Sequence, residues 1–153
     1  IHANAARRSG AHGIETYYLD KGHRRHSMRV AARENGVPPS QLDDLQRALA
    51  GLKVSEISQM SARLAETVHG SVVNGVRKTH GSVKDLGVKR GPFHVLFLSG
   101  MPSILVETGF VTHPKEARRL RSRFYADVLA EQIARGLSRF RSERASRLAG
   151  RAS

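Results

Sequence analysis

Cysteine and tryptophan are both absent from the 153-residue sequence. Without a thiol there is no disulfide framework, no thiol nucleophile and no thiolate ligand, which leaves His, Asp and Glu as the good metal ligands. Aromatic residues make up only 5%. No run approaches the roughly 20 apolar residues of a bilayer-crossing helix, so no transmembrane segment is expected. A Gly-rich phosphate loop, a G-x-S-x-G elbow, a zinc knuckle and a basic stripe interleaved with aromatics are missing too. Nucleic-acid binding would rest on charge alone, and none is expected. Acidic residues are few, 13 against 26 Lys+Arg, for a formal net charge of +13. Such a charge steers anions of many kinds toward the surface without choosing among them. The opening Ile1-His2-Ala3-Asn4 has no initiator Met and no apolar h-region, so any targeting segment is expected upstream.

What is present reads as one α/β domain. Ile14 to Leu19, β-branched and aromatic, is expected to be a strand. Met28 to Glu34 is expected to form a short helix stopped by Asn35-Gly36, with a second helix from Ser40 to about Leu52 showing a Leu42/Leu45/Leu49 face. Within residues 28–54 that helix is read as core packing, in preference to a lid over the site. Ile57, Met60, Leu64, Val68, Val72 and Val76 recur at helical spacing and predict a long helix from Ser55 to Lys78. The apolar runs Phe93 to Leu98 and Ser103 to Val106 read as strands covered on both faces. A last helix carries Tyr125, Leu129, Ile133, Leu137 and Phe140. The expected domain is 1–140, followed by a basic tail, 141–153, that is frayed or solvated.

Glu107 follows Ile104-Leu105-Val106 directly and should emerge at the C-terminal end of a buried strand, where open α/β sheets place their ligand sites. Burial there favours a general acid or base. A solvated or salt-bridged strand-end Glu fits the same position. His2 becomes a metal ligand only if its strand points it at the same cleft. His94, inside an apolar run, reads as a core histidine. His23 and His26 flank two arginines that repel a cation. His12, His69, His80 and His113 carry no specific signal.

Three segments, taken in order, resemble the zinc-dependent N-acetylmuramoyl-L-alanine amidases of peptidoglycan. They are Ile1-His2-Ala3-Asn4-Ala5 with Gly13-Ile14-Glu15-Thr16-Tyr17-Tyr18-Leu19; Asp85-Leu86-Gly87-Val88-Lys89 with Phe93-His94-Val95-Leu96; and Met101-Pro102-Ser103-Ile104-Leu105-Val106-Glu107-Thr108-Gly109-Phe110. The resemblance runs from residue 1 to about 140. It implies an α/β fold whose mostly parallel sheet lies between helices, with the first strand absent from these residues. It also implies that His2 is a zinc ligand and Glu107 the catalytic carboxylate. The other two ligands, a His in a Gly-His-Gly-Gly turn and a Glu, are expected upstream. Leu19-Asp20-Lys21-Gly22-His23 copies that turn only superficially, since Arg24-Arg25 replaces its glycines and it follows the wrong strand.

The implied reaction is hydrolysis of the amide between the lactyl group of N-acetylmuramic acid and L-alanine, with Zn²⁺ as cofactor and peptidoglycan as partner. The implied location is the periplasm or cell wall, and an activator protein is left open. The competing reading is a non-catalytic basic module that binds anionic polymer, which explains the charge but leaves Met101 to Phe110 without a purpose.

Overall fold

The computed structural model describes residues 1–7, 10–20, 25–38, 41–42, 54–97 and 99–152. In chain order these form β1 (His2–Asn4), β2 (Ile14–Tyr18), α1 (Arg25–Glu34), α2 (Val54–His80), β3 (Asp85–Arg90), α3 (His94–Phe97), β4 (Ile104–Phe110), α4 (Pro114–Leu120) and α5 (Arg123–Ala152). The fold is α/β, with an open, mostly parallel four-stranded sheet in the order β1-β4-β2-β3. The chain forms two compact units, residues 1–15, 66–87 and 106–153, and residues 16–65 and 88–105.

In the first unit β1 lies parallel to β4, with His2 opposite Glu107 and Asn4 opposite Phe110. Between those pairs β4 advances three residues while β1 advances two, so a bulge lies on β4 between Glu107 and Phe110. Val68, Val72, Val73 and Val76 of α2 are buried, as are Tyr125, Val128 and Leu129 of α5. The two helices approach where side chains are missing. A Cβ on Gly136 would lie 2.7 Å from Val68 Cα, and one on Gly75 would strike Gln132. Contacts of 68 with 136 and of 75 with 132 set the helices antiparallel. Leu137, expected on the buried face, is 46% exposed, because Gly136 is the residue turned to α2. Gly13, just before β2, has φ +120°, and a Cβ there would lie 2.5 Å from the Lys84 carbonyl oxygen. Only glycine fits.

In the second unit Tyr17, Leu19, Val30, Ala31, Ala32, Leu42, Phe93, Leu96 and Leu105 form one core. The Tyr17 and Phe93 rings are 4.7 Å apart. As expected, α1 ends at Asn35-Gly36. Gly36 has φ +67°, Val37 N bonds the Ala32 carbonyl (3.0 Å) and Gly36 N that of Arg33 (3.1 Å), the paired bonds of a Schellman stop. Ser40 and residues 43–53, and with them Leu45 and Leu49 of the expected leucine face, lie outside the described residues, as do Lys21 to Arg24. Leu42 is fully buried in the core, in line with a packing role.

Within the run expected as a strand, Phe93 to Leu98, His94–Phe97 is instead helical, and Leu98 lies outside the described residues. Phe93 and Leu96 are buried while His94 and Val95 are exposed, a three-residue rather than a two-residue repeat. Asn35 sets this turn, its Oδ1 accepting from His94 N (3.0 Å) and its Nδ2 donating to the Pro92 carbonyl (2.9 Å). His94 is accordingly a surface residue and not a core histidine. The basic tail is helical to Ala152 rather than frayed, and it is solvated along residues 141–150.

Candidate active site

β1 and β4 bring together the two side chains singled out by the sequence. His2 Nδ1 lies 3.6 Å from Glu107 Oε1, in the first unit. The His2 side chain is 49% exposed and that of Glu107 0%. Glu107 therefore does not emerge at the end of its strand. It sits in the middle of β4, because Thr108, Gly109 and Phe110 continue the strand beyond it.

The surroundings of the pair are held by polar links that are buried or partly buried. Thr108 Oγ1 donates to the His2 carbonyl (2.9 Å), which fixes β1 at the residue that bears the imidazole. Tyr125 Oη donates to the Thr108 carbonyl (2.8 Å), tying β4 to α5 one residue beyond Glu107. Asn4 Nδ2 donates to the fully buried Glu15 Oε1 (2.5 Å), and Val111 N to the Asn4 carbonyl (2.8 Å). The buried carboxylate of Glu116 accepts from Phe110 N through Oε2 (2.7 Å) and from Gly13 N through Oε1 (2.8 Å).

Burial, followed by the charge of Glu116, pushes the Tyr125 phenol up to about 12. An unfolded phenol titrates near 10. The folded state therefore prefers the protonated form, and Tyr125 contributes stability that is complete below about pH 10 and lost as pH rises through about 12. Tyr125→Phe should cost about 1 kcal/mol at pH 7, for one buried neutral hydrogen bond. It should also flatten the fall of stability between pH 10 and 12. Urea unfolding of both proteins across that range measures both effects.

His69, which carried no signal as a sequence position, is buried and its Nε2 lies 2.8 Å from Asp85 Oδ1. Burial pushes the Asp85 carboxyl up, but hydrogen bonds with His69 and Gly87 N outweigh it and hold the group below the ordinary carboxylate range. This pair braces α2 on β3 and stands apart from His2 and Glu107. His12 and His113 stack at 4.9 Å, and His113 caps α4 by accepting from Glu116 N (3.4 Å).

The donor set suits a metal. An imidazole nitrogen and a carboxylate oxygen are preferred zinc ligands, and bonds of about 2.0–2.2 Å at a tetrahedral angle separate ligand atoms by about 3.4 Å. The observed 3.6 Å fits either two ligands of one ion or one ligand beside a proton-accepting carboxylate.

Residues 1–139 match the family of N-acetylmuramoyl-L-alanine amidases. The chain is 29% identical over 133 residues to the N-acetylmuramoyl-L-alanine amidase LytC of Bacillus subtilis, which covers 87% of this chain and 19% of that protein. Its fold superposes on an N-acetylmuramoyl-L-alanine amidase of Clostridium difficile 630 with a TM-score of 0.61 at 28% identity, and on AmiC2 of Nostoc punctiforme with 0.58 at 29%. Each superposition covers 92% of this chain and 54% of the other. The chain thus spans part of the length of its relatives. With the family match along nearly its whole length, a shared fold and His2 beside Glu107, the chain belongs to the N-acetylmuramoyl-L-alanine amidase family.

Proposed function

We propose that this chain carries the catalytic carboxylate and one metal ligand of a zinc-dependent amidase, which hydrolyses the amide between the lactyl group of N-acetylmuramic acid and L-alanine in peptidoglycan. The observation that carries this reading is the 3.6 Å approach of His2 to Glu107 across β1 and β4. His2 would hold the ion together with ligands from outside these 153 residues. A bound zinc supplies Lewis acidity toward the amide carbonyl and lowers the pKa of coordinated water toward about 7.

Glu107 performs the proton chemistry. Its carboxylate accepts a proton from the attacking water as the carbon–oxygen bond forms. It then delivers that proton to the departing alanine nitrogen as the carbon–nitrogen bond breaks. The products are the lactyl carboxylic acid and a free L-alanine amino terminus. Proton transfer of this kind contributes about 10²–10⁴-fold. The fully buried setting of Glu107 keeps bulk water from competing for the proton, and the Thr108 and Tyr125 hydrogen bonds hold the strand that aims it. Because peptidoglycan is the substrate, the protein is assigned to the periplasm or cell wall.

The test is metal removal. The full-length protein, incubated with purified peptidoglycan, should release new L-alanine amino termini. A chelator should abolish that release and stoichiometric Zn²⁺ restore it. Undiminished release after dialysis to below 0.1 equivalent of metal would exclude the zinc mechanism, and absence of new L-alanine termini would exclude the amidase.

A further inference from the structure

The seven residues of α4 are amphipathic in charge. Lys115, Arg118 and Arg119 stand at i, i+3 and i+4, one helical face, while the only acid, Glu116, points away into its bonds with Phe110 N and Gly13 N. Those three cations, with His80 at the end of α2 and Ser122 before α5, line a pocket of about 410 Å³. No carboxylate lines it. Among the described residues none of the three cations is paired with an acid, although Arg33, Arg90, Arg135 and Arg139 are. Three like charges gathered on one face without a counter-charge repel one another, and an anion in the pocket relieves that repulsion.

One side of the pocket, at His80 and Arg119, is held in place. Arg119 Nη2 donates to the His80 carbonyl (3.1 Å), which holds the guanidinium at the rim. The His80 ring is seated against Phe124 (5.3 Å) and edge-on to Tyr125 (5.0 Å). Burial, and then the charge of Arg119, push the His80 imidazole below its ordinary value.

We propose that this pocket binds a phosphate group. Two guanidinium forks, an ammonium and a hydroxyl match the several oxygens and the double charge of a phosphate better than a single carboxylate. The site uses neither His2 nor Glu107 and does not depend on the amidase reading. The group is either free, as inorganic phosphate or a phosphomonoester, or carried along a phosphodiester polymer.

The experiment titrates the full-length protein with inorganic phosphate, with poly(glycerol phosphate) and with acetate at constant ionic strength. Binding is followed by calorimetry and by the shift in melting temperature. Phosphate or the polymer should bind saturably. Lys115→Gln with Arg118→Gln, both exposed positions, should weaken that binding at least about tenfold, one to two charge-assisted bonds' worth. Arg141→Gln with Arg144→Gln, an equal loss of charge on the solvated end of α5, should leave it unchanged. Binding of inorganic phosphate identifies a free group, and binding of the polymer alone identifies a chain-borne one. Equal binding by all three proteins, acetate binding as tightly as phosphate, or no saturable binding would overturn the proposal.

Discussion

Glu107→Gln should lower amidase turnover by about 10²–10⁴-fold, the span of a lost general acid–base. Glutamine nearly matches glutamate in shape but cannot take up a proton as water attacks the carbonyl carbon, so the local packing is kept and the proton chemistry removed. On the proposed ligand assignment metal content should be retained, because His2 is untouched. The new amide sits at a position of 0% exposure and costs stability of its own, which denaturant unfolding separates from the kinetic effect. His2→Ala should behave differently, losing bound metal together with activity. Release of L-alanine termini, measured beside the zinc content of each protein, distinguishes the two. Near-wild-type turnover by Glu107→Gln would leave Glu107 as a structural residue only.

The largest expected loss of stability is at Glu116. Its carboxylate satisfies two main-chain N–H groups, one at the end of β4 and one before β2, and it is buried itself. Glu116→Ala leaves both donors without their acceptor, at about 1–3 kcal/mol each. A loss near 3 kcal/mol would lower the melting temperature by roughly 6–12 °C for a domain of this size. Glu116→Gln keeps one acceptor oxygen and turns an N–H₂ toward the other donor, so it should fall between alanine and wild type. Since Phe110 N ends the strand that carries Glu107, activity should fall with stability in both variants. If alanine costs less than 1 kcal/mol, water replaces the carboxylate and the clamp is not structural.

Elements with one strong local cause were legible from the residues. The apolar stripe from Ile57 to Val76 predicts α2, and Asn35-Gly36 stops α1 through the positive φ that glycine allows. Ile14 to Tyr18 is a strand by composition. Elements whose cause lies elsewhere were not. β3 is a sheet-edge strand with no fully buried residue, so Asp85 to Arg90 carries no apolar alternation. Phe93 to Phe97 is apolar enough for a strand, and a turn is chosen by the Asn35 side chain, 59 residues away from His94. Glu107 stood out as the carboxylate directly after a buried apolar run, and the family resemblance joined His2 to it, whereas no spacing rule links residues so distant. Glu116 and the His69–Asp85 pair gave no signal, since a buried polar group is recognisable only from the donors that meet it.

The pairing of β1 with β4 sets the order in which the chain can be completed. The hydrogen bonds from Thr108 to His2 and from Ala6 to Thr112 each span 106 residues, and that from Gly13 to Glu116 spans 103. Local elements such as α1 and α2 form from contacts a few residues apart, while contacts of this range form slowly. At ribosomal rates of about 5–20 residues per second, β1 emerges roughly 5–20 s before β4. For that interval the imidazole and the carboxylate are separate, and the His2–Glu107 pair is among the last features to assemble. A nascent or truncated chain that ends before Ile104 holds His2 but no Glu107, so the pair cannot form in it.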